Sequence, residues 1–149
     1  MAQTRQQIVS AIQSRLQGIS VFNGYYTDLG TSIWIWRRNP WDASEVPGAS
    51  IADLSDQQEV SAEDESIAIH RLQVEIRIVA KQSSSSDTNA RQIIADVEKA
   101  ISTDDTWGGL AQHTLPLGNE MMVAQDEVTV AGAVIRITVE YLTAKFSES

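Results

Sequence analysis

Residues 67–80, with the sequence IAIHRLQVEIRIVA, decide the fold because apolar and polar residues alternate along them. The apolar residues of the second half share one parity: Leu72, Val74, Ile76 and Ile78. The polar residues between them have the other parity: Arg71, Gln73, Glu75 and Arg77. Successive side chains of a strand point to opposite faces, so the pattern predicts a long strand with one buried face. Ile67 and Ile69 have the parity of the polar residues, which predicts a bulge or twist near His70.

Two helices and four more strands are predicted around this strand. Apolar residues at helical spacing predict helices over Thr4–Gln17 and from Ser86 or Asp87 to Ser102. Thr4 is the expected N-cap of the first helix and Ser86 or Asp87 that of the second, and Gly18 is expected to end the first. The other strands are expected over residues 31–38, 49–54, 121–130 and 133–146, with the last two meeting at Gly132. Residues 103–118 are glycine-rich and are expected to be a loop, and the polar residues 55–66 are expected to be a loop or the extended tip of a hairpin.

The element order α-β-β-β-α-β-β predicts an α+β fold in which hairpins dominate. We expect a two-layer sandwich, with a largely antiparallel sheet and two helices packed on one of its faces. Because helices are expected on only one side, this order leaves the covering of the other sheet face unexplained.

Length, composition and charge exclude several classes of protein. At 149 residues the chain has the usual size of one domain, so we expect a single domain over residues 1–149. The absence of cysteine excludes disulfides and thiolate metal sites. A net charge of −9 repels nucleic-acid phosphates, so direct nucleic-acid binding is not expected. No apolar run approaches the roughly 20 residues of a membrane span, and the first fifteen residues contain no secretory core, so no membrane association is expected.

The sequence contains no recognisable catalytic motif. There is no G-x-S-x-G elbow, no Walker lysine follows Gly108-Gly109, and His70 and His113 lack metal-ligand spacing. Both histidines are interpreted as ordinary hydrogen-bonded residues. We therefore expect no catalytic residue, no cofactor and no metal.

Eight acidic residues fall between Arg38 and Arg71, a stretch without lysine or arginine. Five of them define an acidic loop in this interpretation: Asp56, Glu59, Glu63, Asp64 and Glu65. Clustered carboxylates can bind Ca²⁺ or Mg²⁺, but residues 56–65 do not follow the EF-hand pattern. A solvated loop, a charged surface for a partner and a cation site remain open alternatives.

Tryptophans and charged strand residues are the candidates for an interface. Trp34, Trp36 and Trp41 lie close to Arg37 and Arg38, and alternation puts Trp34 and Trp36 on the same face of their strand. The predicted strand over residues 31–38 is apolar on both sides. Core packing explains one of its faces, but burial of the other face requires a second covering layer. Aromatic residues and arginine are enriched in interface cores, so these residues are candidate contacts.

The outward residues of the two long strands are further candidates: Arg71, Glu75, Arg77, Arg136 and Glu140. If the two strands are antiparallel neighbours, these side chains can pair across them. Such a mixed polar face is either exposed or docked against another subunit.

The sequence resembles the tail terminator proteins, also called minor tail protein U-like, of long-tailed bacteriophages. The resemblance rests on a short N-terminal helix, the run Asn23-Gly24-Tyr25-x-Thr27-Asp28-x-Gly30, an alternating strand, and the final strand segment 137–141. Three short motifs follow the alternating strand and precede the final one: Arg38-x-Pro40, Glu45-x-Pro47 and Ile51-x-Asp53. The element order agrees over nearly the whole chain, whereas the local signature covers residues 23–53.

This resemblance implies a structural virion protein that caps the tail tube as a ring and ends its polymerisation. The implied partners are other copies of the chain in a hexamer, the tail tube protein, and head–tail connector or neck proteins. The implied location is the phage tail, assembled in the host bacterial cytoplasm. A head-closure or other connector protein is the alternative of the same kind. A small metal-dependent enzyme built on the acidic loop is the alternative from another class.

Overall fold

Two helices and five strands make up the described part of the chain. The structure is a computed structural model that describes residues 3–37, 39, 41–81, 83–125 and 129–146. The helices are α1 (Thr4–Gln17) and α2 (Ser86–Ser102). The strands are β1 (Ile33–Ile35), β2 (Gly48–Val60), β3 (Ile67–Val79), β4 (His113–Gln125) and β5 (Thr129–Ala144). Single 3-10 turns at Leu29–Thr31 and Ala43–Glu45 flank β1.

The five strands form one sheet in the order β1-β2-β3-β5-β4. The pairs β2–β3, β3–β5 and β4–β5 are antiparallel, and only the short β1 runs parallel to its neighbour β2. The predicted α+β class, element order and mainly antiparallel sheet are therefore confirmed. The parallel edge strand was not foreseen, and it follows from the 3-10 turn and connection that carry the chain back to begin β2 alongside β1.

One hydrophobic core lies between the helices and one face of the sheet. Both predicted helix stripes reach it, through Ile8, Ile12 and Leu16 of α1 and through Ile93, Ile94 and Val97 of α2. The sheet contributes the inward residues predicted for β3 and β5: Leu72, Val74, Ile76, Ile78, Ile135, Ile137, Val139 and Tyr141. α1 packs mainly on β1 and α2 mainly on β5, and the two helices also touch each other. Both helices thus cover the same face.

The helix starts differ from the prediction in detail. Gln3 is the N-cap of α1 and Ser85 that of α2, and neither side chain makes a capping hydrogen bond. Thr4 is therefore the first helical residue and not the cap, and the same holds for Ser86. Gly18 ends α1 as predicted, with its N–H bonded to the Arg15 carbonyl.

Several strand boundaries were wrong. β1 is three residues long, not eight, while β2 runs on to Val60 through residues that looked like a loop. β4 begins at His113, within the predicted loop 103–118. β4 ends at Gln125 and β5 begins at Thr129, so Gly132 does not separate them but lies inside β5, opposite Val79 and Met122.

The register of the long strands places the irregularity of the sheet in β2. β3 pairs with β5 without interruption from Ile67 to Val79, so the bulge predicted near His70 is absent. The shift instead falls between Asp53 and Ser55 on the neighbouring strand. Ile69 consequently lies on the face away from the helices, and we refer to this face below as the open face.

Candidate assembly surfaces

Arg37 is held between two tryptophans at the β1 edge of the open face. Its guanidinium carbon lies 4.9 Å from the ring centre of Trp34 and 4.4 Å from that of Trp41. Two of its nitrogens donate to the Glu45 carboxylate at 2.6 and 2.8 Å. The hydrogen bonds from Arg37 and then the N–H of Asp42 hold the pKa of Glu45 below its ordinary value. A planar cation with a bidentate partner between two rings is a rigid arrangement.

Gly48 allows Trp41 to lie directly against the sheet. A Cβ at this position would come within 2.4 Å of the Trp41 ring and 2.7 Å of the Glu45 carbonyl oxygen. Trp41 is half-buried as a result, while Trp34 keeps 42% of its surface exposed. Core packing thus accounts for part of this cluster, and the outer surface of Trp34 remains available.

Trp36 does not share a face with Trp34, contrary to the alternation that the sequence predicts. It takes a left-handed backbone conformation with φ of 52°, which breaks the strand. Its indole N–H donates to Asp53 Oδ1 at 2.8 Å, and Arg5 of α1 donates to the other carboxylate oxygen at 2.6 Å. Trp36 is therefore turned toward the helix side of the β1 edge. Arg38 lies outside the described residues.

Asp53 links that edge to α1. Burial alone would raise the pKa of Asp53, but the hydrogen bonds from Trp36 and Arg5 outweigh it, and the pKa lies below its ordinary value. The carboxylate is thus held in its charged form between an indole and a guanidinium. This contact ties the start of α1 to the sheet and leaves 49% of the Trp36 surface exposed.

The outward charged residues of β3 and β5 pair across the strands, as the sequence predicts. Arg71 stands opposite Glu140 with 3.4 Å between Nε and Oε2, and it also reaches Glu59 of β2 at 2.9 Å. Glu75 stands opposite Arg136 at 3.8 Å and accepts from Arg77 at 2.7 Å. A further ion pair joins Arg136 to Glu120 of β4 at 3.6 Å.

These pairs neutralise most of the charge on the open face. Glu75 is only 8% exposed although no helix covers it, because Arg77 and Arg136 lie over its carboxylate. A face of neutralised charges loses less solvation free energy on docking than a face of single charges would. Whether these five residues contact another subunit stays a prediction.

Apolar side chains lie among the charged pairs, and most of them were not predicted from the sequence. Register puts Leu115 and Met122 of β4 and Leu142 of β5 on the open face, and all three are substantially exposed. A groove of about 300 Å³ runs beside Trp41 over the ends of β3 and β5, bordered by Val79 and Met122. The leucines of residues 113–118 could have predicted the start of a strand, but the proline and glycine of the same stretch favoured a loop.

The five acidic residues do not form one loop. Asp56 and Glu59 belong to β2, where the side chain of Asp56 is 6% exposed and Glu59 pairs with Arg71. Only Glu63, Asp64 and Glu65 lie at the hairpin tip. Hydrogen bonds from the Ser66 hydroxyl and N–H lower the pKa of Asp64. No group of three or more metal-ligating side chains occurs in the described ranges.

Asp56 takes part in a buried cluster that no sequence pattern predicts. His70 Nδ1 lies 2.8 Å from Asp56 Oδ2, and His70 Nε2 lies 2.7 Å from Thr143 Oγ1. The Tyr141 hydroxyl donates to the same Asp56 oxygen at 3.1 Å, and its ring stacks on the His70 ring at 4.4 Å. Asp56 Oδ1 is buried without a hydrogen-bond partner among the described residues.

The connectivity Asp56–His70–Thr143 is that of a hydrolytic triad, but its setting is unlike an active site. The Thr143 hydroxyl donates to the carbonyl of Ala144, so its proton is directed into the backbone of its own strand. His70 is buried under the stacked tyrosine, and none of the three residues borders a described cavity. The cluster is better suited to locking β2, β3 and β5 together beyond the helices.

Comparison with known proteins adds no further constraint on the family. No protein-family model matches the chain, and no curated protein sequence is significantly similar to it. Neither helix in the described part of the chain has both the length and the apolar character that a membrane crossing requires.

Proposed function

We propose that the chain is a phage tail terminator: a structural virion protein that caps the tail tube as a ring. In this proposal a hexamer ends tail tube polymerisation and offers its other side to head–tail connector or neck proteins. The protein is assembled in the host bacterial cytoplasm and resides in the phage tail. It has no enzymatic role and requires no cofactor.

The open face carries this proposal. Within residues 3–146 as described, both helices lie on the opposite side of the sheet, so no layer covers this one. It exposes an aromatic residue, a methionine and two leucines between arginine-containing ion pairs: Trp34, Met122, Leu115 and Leu142. Aromatic, methionine and arginine residues are the types enriched in interface cores. These exposed apolar side chains contribute no hydrophobic stabilisation in a monomer, whereas an assembly that buries them would gain it.

The two edges of the sheet differ, which suits a ring. A closed ring joins its subunits head to tail and requires two different, complementary patches on each. One edge is the short β1 with the Trp34–Arg37–Trp41 cluster, and the other is the thirteen-residue β4. We assign the subunit contacts to the tryptophans, Arg37 and Arg38, and to the outward residues Arg71, Glu75, Arg77, Arg136 and Glu140.

The acidic tip is the second surface of the proposal. Glu63, Asp64 and Glu65 project from the β2–β3 hairpin at the end of the sheet farthest from β1. No basic side chain is described as pairing with any of these three, so their charge is available to a partner. We assign this tip to a neighbouring subunit or to the lumen of the ring.

Tube polymerisation tests the proposal. Tail tube protein is polymerised with increasing amounts of the chain, and tube lengths are measured by electron microscopy. We expect shorter tubes with density for the chain at one end. Unchanged tube lengths, with the chain absent from the tube ends, would contradict the proposal. Binding to a head–tail connector protein alone would instead identify a head-closure protein.

A further inference from the structure

The loop that follows α1 presents an apolar knob to solvent. Phe22 is 98% exposed, and Val21 and Tyr26 beside it are also largely exposed. We call these three residues the knob. Single exposed apolar residues are common on protein surfaces, whereas large exposed apolar patches mark interaction sites, so three such residues on one short loop are a candidate for one.

The loop is held in place by hydrogen bonds to charged side chains. The Asp96 carboxylate of α2, only 1% exposed, accepts from the N–H groups of Tyr26 and Thr27 and from the Thr27 hydroxyl, at 2.7–2.9 Å. Asp28 accepts from the N–H of Val21 at 2.9 Å. Lys99 of α2 donates to the Gly24 carbonyl, also at 2.9 Å.

Gly30 fixes the other end of the loop against α1. Its N–H donates to the Ile19 carbonyl at 2.9 Å, and a Cβ there would come within 2.3 Å of the Gln17 carbonyl oxygen. The run Asn23–Gly30 that carries the family resemblance is thus a rigid support for the knob. A preorganised apolar tip binds with little further loss of conformational entropy.

A cleft of about 570 Å³ lies on another side of the molecule, between α2 and the β4–β5 hairpin. Its apolar walls are Ile101, Pro116, Ile135 and Ile137, and its charged border consists of Glu98, Asp105 and Arg136, of which Arg136 is already paired with Glu75 and Glu120. Concave apolar sites with a few charged groups are the usual form of a binding site. The volume is large enough for an aromatic side chain and its neighbours.

The knob and the cleft lie on opposite sides of α2. Asp96 and Lys99 are three residues apart on the side that faces the knob loop, whereas Glu98 and Ile101 are three apart on the side that faces the cleft. Lys99 therefore puts a positive charge beside the knob, and Glu98 puts a negative charge beside the cleft. Two copies placed head to tail would bring these opposite charges together.

We propose that the knob of one copy docks into the cleft of a second copy. A head-to-tail contact of this kind closes into a ring when its rotation permits, so the inference rests on the ring of the proposed function. Phe22 is the central anchor, buried against the isoleucines and proline of the cleft. Lys99 of one copy and Glu98 of the next add an ion pair at the rim.

Substitution of Phe22 tests the inference against a matched control. Phe22→Ser removes the anchor, and because the side chain is fully exposed, the fold should persist. Phe146→Ser removes an equally exposed aromatic, at 93%, that lies outside the knob. Assembly is measured by light scattering of the free protein and by sedimentation with tail tubes. We expect Phe22→Ser to raise the concentration for half-assembly at least about tenfold and Phe146→Ser to leave it unchanged.

A disulfide between copies tests the contact itself. The chain has no cysteine, so Val21→Cys, which keeps the Phe22 anchor, combined with Ser102→Cys, a residue bordering the cleft, can oxidise only at the introduced sites. We expect a ladder of covalent multimers from the double variant and not from either single variant. A monomeric product without a ladder contradicts the docking.

The outcomes separate this inference from the proposed function. Rings that survive Phe22→Ser overturn the knob contact and leave the tail-terminator proposal intact. Loss of tube binding with rings unchanged shows that the knob binds tail tube protein and not a second copy. A wild-type chain that is monomeric both alone and with tubes overturns both.

Discussion

Replacing Asp96 with alanine should destabilise the protein strongly, because Asp96 joins α2 to the loop that follows α1. Its buried carboxylate accepts three hydrogen bonds, and two of the donors are backbone N–H groups of Tyr26 and Thr27. Alanine leaves both N–H groups without their acceptor, and the bond lost at Thr27 is buried while the one lost at Tyr26 is partly buried. The Asp96→Ala variant should therefore lose the fixed conformation of the knob loop together with global stability.

The expected magnitude follows from the number and the burial of these bonds. A hydrogen bond to a charged group contributes about 1.5–3 kcal/mol net, and an unsatisfied buried donor costs about 1–3 kcal/mol. The three bonds share one carboxylate, and its removal also relieves the cost of burying a charge, so the contributions are less than additive. We therefore expect the free energy of unfolding to fall by about 3–5 kcal/mol. For a chain of this length that corresponds to a fall in Tm of roughly 6–20 °C.

Urea denaturation followed by tryptophan fluorescence measures this loss. Asp96→Asn retains the shape and one acceptor oxygen, so its loss should be smaller, about 1–3 kcal/mol. Glu98→Ala is the control on the same helix, because Glu98 is exposed and bonds only Asn119, at 3.1 Å, among the hydrogen bonds described. It should stay within about 0.5 kcal/mol of the wild type. A loss below about 1 kcal/mol for Asp96→Ala, or one matched by Glu98→Ala, would refute the reasoning.

Three more predictions follow from single features. Gly48→Ala forces a methyl group into the Trp41 ring, so it should lower the free energy of unfolding by about 1–3 kcal/mol in urea titrations. His70→Phe leaves the buried Asp56 with fewer donors and should cost about 2–4 kcal/mol, whereas Asp56→Leu added to it should cost less than the two single losses together. Bonds from the Thr106 hydroxyl, then from the N–H groups of Gly108 and Thr106, lower the pKa of Asp104 from 3.8 to about 2. Because the folded pKa is the lower one, this stabilisation is present above about pH 4 and lost as the pH falls to 2, so the stability difference from Asp104→Asn should shrink over that range.

The sequence was most informative where burial is one-sided and regular. The strict alternation of residues 71–78 placed β3 and its faces correctly, and the same pattern in β5 gave Ile135, Ile137 and Val139. The apolar stripes of α1 and α2 were equally clear. In each case one face of an element is buried against the core, so the period of the element is visible in the apolar residues.

The sequence failed where strands are polar or lie at the sheet edge. β4 contains Pro116 and a bulge before Gly118, which an edge strand tolerates because its outer side has no partner. The second half of β2 is polar and half-buried or exposed, so its strand pairing with β3 has no apolar signature. Its true length would have placed Asp56 diagonally across from His70 and revealed the buried cluster.

The turn of Trp36 toward the helix side has no local signal at all. Only the positions of Asp53 and Arg5, distant in sequence, explain why a bulky residue adopts a positive φ. Tertiary contacts of this kind also define the knob loop, since Asp96 lies 70 residues from Tyr26. Sequence patterns report local periodicity and cannot report such pairings.

The molar mass of the purified chain tests the central claim of assembly most directly. Light scattering is measured across a wide range of protein concentration, and electron micrographs are recorded from the same samples. A ring predicts a species of six times the 16.4 kDa chain mass, with annular particles in the images. A mass of one chain at every concentration, unchanged when tail tubes are added, would contradict the account.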